Sequence, residues 1–375
     1  MSVFSEDDIR FMRRALELAS RGEGAVEPNP MVGCVIVRDG KIIGEGYHKA
    51  FGGSHAEVEA IRSAAESAES TGNATLYVTL EPCCHYGKTP PCTEAIFRTG
   101  IRRIVAAMRD PFPPVDGGGI ARLQAAGMDV SLGCLADEAT ELNAPYLMRT
   151  QQRRPWIHAK WAMTLDGKIA ARTGSSRWIT SEMSREIVHK IRSRMDAVMV
   201  GSRTAKIDDP LLTVRLPEGN APQRMPLRVV WDSQASLPPE SQLAQTAKDI
   251  PVIVAAGTGL NDVNACKLKK MGCEILLLEE ISYSQRMTKL LQNLADRGVT
   301  NLLMEGGGTL LGHLFDFCLI DECHIFIAPK LIGGENAVTP LGGIGLEKML
   351  EAVEIPKMEV TTVGPDVYLH GRLMR

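Results

Sequence analysis

Ser54-His55-Ala56-Glu57 and, downstream, Leu80-Glu81-Pro82-Cys83-Cys84-His85-Tyr86-Gly87-Lys88-Thr89-Pro90-Pro91-Cys92 decide how this 375-residue chain is read. One imidazole and two thiols can give a zinc ion three ligands and leave a fourth position for water, which is the arrangement of catalytic rather than structural zinc. The run Thr75-Leu76-Tyr77-Val78-Thr79-Leu80 reads as a buried strand, so Cys83 lies just past a strand end, where open α/β sheets place their sites. Ser54 can cap a helix running from His55 toward Glu66, with Val58, Ile61 and Ala65 on one face. Pro90-Pro91 opens another helix with Cys92 in its first turn, where the helix dipole favours a thiolate. A helix-borne histidine and two cysteines around a strand-to-helix turn can therefore converge on one ion.

Two competing readings attach to these residues. Ser54-x-x-Glu57 is itself a capping box, which would give Glu57 a purely local role. Cys84 competes with its neighbours as a ligand, but adjacent cysteines rarely point at one ion and only Cys92 has the helix-start context, so the spacing favours Cys83 and Cys92. His55-Ala56-Glu57 with Pro82-Cys83 matches the known H-x-E and P-C signature of zinc deaminases, except that the second cysteine stands further along. In that chemistry zinc lowers the pKa of a bound water to about 7, and the glutamate, which does not bind metal, moves a proton from the water to the leaving amine. A structural zinc could take His85 as fourth ligand, but Glu57 would then have no role.

The rest of the chain alternates helix and strand signals. Ser5, Asp8 and the apolar spacing of Ile9, Met12, Leu16 and Ala19 predict a first helix stopped near Gly22. Asp39-Gly40 joins Val32 to Val37 and Lys41 to Gly46 as a hairpin. Asn29, between two prolines, reads as a turn residue or as a ligand contact, and spacing alone favours the turn. Strands over 104–108 and 128–130 flank a helix over 120–126. Composition shifts across Tyr146 to Pro155, which places a boundary between a domain of residues 1–147 and one of residues 148–375. The second half reads as strands over 156–163, 197–200, 227–231, 252–255, 274–278 and 301–304, with a helix over 284–295. Glu305-Gly306-Gly307-Gly308-Thr309-Leu310 follows the last strand and opens a helix. Its glycines expose backbone N–H groups suited to a pyrophosphate but do not fit G-x-G-x-x-G, so a plain tight turn stays open.

The length favours two domains. A formal charge of −3 and 5% aromatic residues supply neither the basic field nor the stacking surface of a nucleic-acid binder. No apolar run is long enough to span a bilayer, and the acidic start has no apolar core of a signal peptide. Nine cysteines, an odd number spread over a long chain, suit reduced thiols and metal ligation, and a cytoplasmic home is expected.

With these stretches the chain resembles the bifunctional riboflavin-biosynthesis deaminase/reductase family over nearly its whole length. The likeness extends through Pro28 to Gly33, Met108 to Pro111, Thr164 to Ala170, Ser176 to Thr180, Asp208 to Arg215, Glu305 to Gly308 and Ala328 to Gly334. The resemblance implies an α/β chain with a cytidine-deaminase-like three-layer domain followed by a dihydrofolate-reductase-like domain. It implies zinc-dependent removal of the 2-amino group of 2,5-diamino-6-(5-phosphoribosylamino)pyrimidin-4-one, then reduction of the ribosyl group to ribityl with NADPH. By resemblance, His55, Cys83 and Cys92 hold zinc, Glu57 is catalytic, and Asn29, His48, His85, Lys88 and Asp110 contact the first substrate. Cys84 stands where the family usually has serine, and Phe112 where asparagine is common. In the second domain Ala162, Trp178, Thr204, Asp208, Ser233 and the run Gly307, Gly308, Thr309, Leu310, Leu311, Gly312, His313 match cofactor positions. Ser176, Arg192, Leu212, Arg215 and Glu305 match substrate positions, where Arg192 and Arg215 can clamp a phosphate. The partners expected are a small phosphorylated pyrimidine and further copies of the chain in a homo-oligomer, with neither nucleic acid nor membrane. An RNA-editing deaminase and a zinc-stabilised binding protein are the alternatives, and the acidic balance opposes the first.

Overall fold

Ser5 and Asp8 form the expected reciprocal cap at the start of helix α1 (Glu6–Ser20). The computed structural model describes residues 4–217, 222, 224–280 and 282–374, so Met1-Ser2-Val3 of the acidic start lies outside the described residues. Two compact units divide the chain at Arg153/Arg154.

The first unit continues with β1 (Gly33–Arg38), β2 (Lys41–Tyr47), α2 (Ala56–Glu66), β3 (Thr75–Val78), α3 (Cys92–Phe97), β4 (Arg103–Ala106), α4 (Gly118–Ala125), β5 (Asp129–Leu132), α5 (Ala136–Leu142) and α6 (Ala144–Gln152). Its sheet has the order β2-β1-β3-β4-β5, antiparallel around β1 and parallel from β3 to β5. The hairpin turns at Asp39 and Gly40, both with positive φ, as the Asp-Gly pair predicts. One face packs Phe11, Met12, Ala15 and Leu18 of α1 and Ala139 of α5, and the other packs Ala56 and Ala60 of α2, Ile96 of α3 and Leu123 of α4. This is the three-layer arrangement of the cytidine-deaminase-like class. Close approach explains three glycines. A Cβ at Gly33 would meet Ala15 O at 1.9 Å, and one at Gly44 or Gly46 would meet the Ala60 backbone at 2.4 Å. The small residues on β2 let α2 lie directly on the sheet, and that contact fixes where the helix start points.

The second unit contains β6 (Trp156–Thr164), α7 (Glu182–Ser193), β7 (Ala197–Gly201), α8 (Ser202–Asp208), β8 (Leu227–Trp231), α9 (Gln242–Gln245), β9 (Val252–Gly257) and α10 (Asp262–Met271). It ends with β10 (Glu274–Leu278), α11 (Tyr283–Asp296), β11 (Asn301–Glu305), α12 (Gly308–Asp316), β12 (Glu322–Ala328), β13 (Glu359–Val363) and β14 (Asp366–Arg372). The nine-stranded sheet runs β10-β9-β8-β7-β11-β6-β12-β14-β13, parallel as far as β12 and antiparallel beyond it. The parallel strands are nearly continuous apolar runs because both faces are covered. Met287, Leu290 and Leu294 of α11 with Leu311 and Leu314 of α12 fill one side, and Val188, Ile191, Leu243, Leu268 and Phe326 fill the other. No helix among the described residues is long and apolar enough to cross a membrane.

Candidate functional site

In the first unit the start of α2 differs from the expected capping box. His55, not Ser54, is the N-cap, and its side chain makes no capping bond. The Ser54 carbonyl instead accepts from His48 Nδ1 at 3.0 Å. Glu57 is thereby free of a capping role and sits 3% exposed.

His55, Cys83 and Cys92 bring one ligand atom each to a common point, all within 4.8 Å of one another. His55 Nδ1 lies 3.1 Å from Cys92 Sγ and 3.5 Å from Cys83 Sγ, while Nε2 meets Thr89 Oγ1 at 3.4 Å. An outer partner on the second ring nitrogen is what orients a metal-binding imidazole. The N–H that opens α3 donates to Cys83 Sγ at 3.2 Å, so the helix start serves Cys83 rather than the sulfur of Cys92. The Cys92 thiol holds Cys83 well below the ordinary thiol range against the effect of burial, with help from His55, and Cys92 itself is pushed up by its bond to Cys83 and by burial. An imidazole and two sulfurs gathered around so few protons fit a divalent zinc ion. Cys84 turns away, its sulfur 3.8 Å from Pro114 O.

These groups open onto a cavity of about 220 Å³. Asn29, His48, Glu57, His85, Lys88 and Asp110, all named from the sequence, line it together. Asn29 takes the turn role, its N–H closing a turn on Val26 O, and its Nδ2 reaches His48 Nε2 at 3.1 Å beside the cavity. Burial lowers His48, which favours its neutral imidazole. Burial also pushes Glu57 up to about 7, and the charge of Cys83 adds to the rise. Burial likewise raises Asp110, whose Oδ1 accepts from Tyr146 OH at 2.7 Å and from Phe112 N at 3.0 Å. Lys88 is exposed, its Nζ 3.7 Å from the centre of the Phe51 ring. His85 Nδ1 is buried without a partner among the described residues, and Phe112 lies beside the ring at 5.9 Å.

Sequence reasoning missed three contributors here. Glu81 accepts from the backbone N–H of Asp110, Gly117 and Ile120, tying the Cys83 loop to the Asp110 loop and to the start of α4. Tyr146 and Arg149 project from α6 into the same cavity. That helix runs through the composition shift taken as a boundary, and Arg149 lies beyond residue 147.

In the second unit Ala162, Thr204, Ser233 and Glu305 lie at or just past the C-terminal ends of the parallel strands β6, β7, β8 and β11. Arg192 bonds both oxygens of Glu305, Nη2 to Oε2 at 2.8 Å, and donates from Nη1 to Thr213 O at 3.0 Å. Burial alone would raise Glu305, but Arg192 and Lys160 outweigh it and hold the carboxyl at about 2. Lys160 Nζ stands 3.5 Å from Glu305 Oε2. His189 on α7 accepts from Arg215 N at 3.3 Å, and burial together with Arg192 and Arg215 lowers it to about 4. Lys160 and His189 were not anticipated, since a single lysine in an apolar strand and a histidine on an amphipathic helix give no periodic signal.

Ser176 Oγ reaches Asp208 Oδ1 at 3.5 Å, and Trp178 is 65% exposed with the Arg185 guanidinium 4.6 Å from its ring centre. Gly307 N donates to Thr204 Oγ1 at 3.2 Å, which joins two of the cofactor positions. The start of α12 has Thr309 exposed and no side-chain cap, and first-turn N–H groups of a helix lack intrahelical partners, so this end fits an anionic cofactor. Further along, the side chains turn elsewhere. Leu310 and Leu311 are buried in the core, Leu212 likewise, and His313 packs its ring 4.3 Å from that of Tyr283. Gly308 and Gly312 are required by packing, since a Cβ on either would meet the backbone of Thr339 or Gly342 at 2.2 Å.

A thiolate-and-imidazole metal cluster beside a buried glutamate, followed by a doubly covered parallel sheet with an ion-paired glutamate at its strand ends, defines a two-site enzyme. Residues 5–108 match the model for the cytidine and deoxycytidylate deaminase zinc-binding region, and residues 155–369 match the RibD C-terminal domain. The riboflavin biosynthesis protein RibD of Actinobacillus pleuropneumoniae is 40% identical over 96% of this chain and 94% of its own length. Among solved structures, Acinetobacter baumannii RibD superposes with a TM-score of 0.85 at 34% identity, covering 99% of each chain. A diaminohydroxyphosphoribosylaminopyrimidine deaminase/5-amino-6-(5-phosphoribosylamino)uracil reductase from Thermotoga maritima gives 0.82 at 35% identity over 98% of this chain and 99% of its own. The chain belongs to the RibD family.

Proposed function

We propose that the chain catalyses two consecutive steps of riboflavin biosynthesis. The first unit replaces the 2-amino group of 2,5-diamino-6-(5-phosphoribosylamino)pyrimidin-4-one by oxygen, releasing ammonia. The second unit reduces the ribosyl group of the product to ribityl with NADPH. The observation that carries this reading is the single cavity in which Glu57 and five polar side chains surround the opening of the His55, Cys83 and Cys92 cluster.

His55 Nδ1, Cys83 Sγ and Cys92 Sγ would hold zinc, with Thr89 fixing the imidazole from behind. Bound there, zinc lowers the pKa of a water molecule to about 7. Glu57 takes a proton from the attacking water and delivers it to the departing amine, a role its raised affinity for a proton suits. Neutral His48 holds Asn29, and Tyr146 holds Asp110, so both polar groups face the pyrimidine in fixed orientations. His85 and Lys88 receive the ribose phosphate. In the second unit Gly307, Thr204 and the start of α12 hold the NADPH pyrophosphate, with Ala162, Trp178, Asp208 and Ser233 along its length. Arg192, Arg215, Ser176 and the Leu212 backbone hold the substrate, and Glu305 keeps the Arg192 head in place. NADPH, when bound, supplies the hydride.

The enzyme acts in the cytoplasm on a small phosphorylated pyrimidine and does not bind nucleic acid. It works as a homo-oligomer, a reading supported by Ile344, Met349 and Leu350, which are 95%, 87% and 99% exposed in the second unit. The test is to supply the zinc-loaded protein with the diaminopyrimidine and NADPH while following ammonia and NADPH absorbance. Ammonia release is expected first, with NADPH oxidation following it. NADPH oxidation that neither needs nor follows deamination would refute the order.

A further inference from the structure

Beside Lys160 but on the side away from the strand ends that carry Glu305, three strands of the second unit bring together a group of buried polar side chains that the two reactions do not use. His158 stands on β6, Glu322 and His324 on β12, and His370 on β14. His158, Glu322 and His324 are 6%, 6% and 5% exposed. Register places Glu322 opposite His158 and His324 opposite His370, so side chains that share one face of adjacent strands meet.

Each member is fastened on its outer side and leaves an inner atom pointing at its neighbours. His158 Nε2 meets Asn301 Oδ1 at 3.2 Å, so that nitrogen carries the hydrogen and Nδ1 keeps its lone pair. His324 Nδ1 meets Tyr368 OH at 2.7 Å. Glu322 Oε2 accepts from Trp156 Nε1 at 3.0 Å and from Arg372 Nε at 3.4 Å. The inner atoms are then His158 Nδ1, His324 Nε2 and Glu322 Oε1. They lie 3.1 Å (imidazole to imidazole), 3.6 Å (His158 to Glu322) and 3.8 Å (His324 to Glu322) apart. Ligand atoms about 2.0–2.2 Å from one zinc ion in a tetrahedral arrangement stand about 3.4 Å from each other, so this triangle needs little adjustment. Metal-binding imidazoles and carboxylates carry outer partners of this kind.

We propose that the second unit holds a divalent metal ion on His158 Nδ1, His324 Nε2 and Glu322 Oε1. Imidazole and carboxylate donors suit zinc or cobalt. His370, also bonded to Glu322 Oε1 and only half-buried, is the member at the solvent side, where an ion enters and where the fourth position opens. The ion would join β6 and β12, two adjacent strands of the sheet. Binding moves the hydrogen of His324 from Nε2, where it faces His158 Nδ1, to Nδ1, which then donates to Tyr368 OH.

The full chain is dialysed against buffer containing zinc and its metal content is measured. About two zinc ions per chain are expected, and about one overturns the proposal without recourse to any variant. Cobalt(II) then locates the second ion. In a Cys83→Ala, Cys92→Ala protein the expected spectrum has visible d–d bands with no thiolate-to-cobalt charge transfer, and absence of those bands overturns the assignment. Glu322→Gln, in otherwise unchanged protein, is expected to weaken cobalt binding at this site at least about tenfold. NADPH oxidation on deaminated substrate should persist in that variant, which shows that the second unit is intact. Unchanged affinity in Glu322→Gln would mean that the cluster is a hydrogen-bonded network only.

Discussion

Each unit places a glutamate at the heart of its site, and the two are prepared in opposite ways. Glu57 has no cation within bonding reach among the described residues, bonds the Cys92 sulfur, and is pushed up to about 7 by burial. Glu305, its side chain 10% exposed, has Arg192 on both oxygens and Lys160 close by, and is held at about 2. The first carboxyl can gain and lose a proton near neutral pH. The second stays charged. Desolvation and neighbouring charge are separate influences on a pKa, and here burial prevails at Glu57 while Arg192 and Lys160 prevail at Glu305.

That contrast can be broken most severely at Arg192. Arg192→Leu leaves Glu305 with Lys160 alone, and reductase kcat is expected to fall by on the order of 100-fold, as for loss of an oriented charged group. Stability of the second unit should drop by about 3 kcal/mol, the cost of a near-buried charge deprived of its partner. Ammonia release should stay unchanged, and paired assays with urea denaturation check all three.

Asp8 sharpens the comparison from outside the sites. Its carboxylate is held well below the ordinary range by Arg103 Nη1 at 2.7 Å, with Ser5 and Tyr77 adding further bonds. A depressed folded-state pKa gives stability that is full above the unfolded value near pH 4 and is lost as pH falls toward the folded one. Asp8→Asn is expected to cost about 1–3 kcal/mol at neutral pH and to flatten the loss of first-unit stability between about pH 5 and pH 2. Urea midpoints across that range measure it.

The smallest expected effect is at Tyr146. Tyr146→Phe removes one hydrogen bond to Asp110, worth about 1 kcal/mol, so KM for the pyrimidine should rise roughly fivefold with kcat nearly unchanged. Initial rates of ammonia release against substrate concentration give the split.

The two sites also differ in how far the sequence disclosed them. Thiols and imidazoles have few uses in a reduced protein, and His55, Cys83 and Cys92 lie around one strand and two helix starts, so their convergence could be read from spacing. Strands were legible for a related reason: β8 and β10 are largely apolar runs between turn residues, and both have the bounds read for them, although only β8 is buried while β10 forms the exposed edge of the sheet. In the second unit the site draws one residue from each of many distant strands and helices, and Lys160 and His189 look like ordinary members of their elements. The glycines after β11 were ambiguous because glycine answers both to ligand approach and to packing. Gly308 and Gly312 are there for the backbone at 339–342, while Gly307 faces Thr204. Glu81, which ties the Cys83 loop to the Asp110 loop, was hidden because its partners are backbone N–H groups.

Opposite preparation of the two glutamates is tested most directly by exchanging each for its amide and assaying both reactions. Glu57→Gln should lower ammonia release by about 100-fold to 10,000-fold, the range for loss of a proton-transfer group, while NADPH oxidation on deaminated substrate remains at the wild-type rate. Glu305→Gln should reverse the pattern, sparing ammonia release and impairing NADPH oxidation. Loss of neither activity in Glu57→Gln, or loss of both activities in either folded variant, would contradict the account.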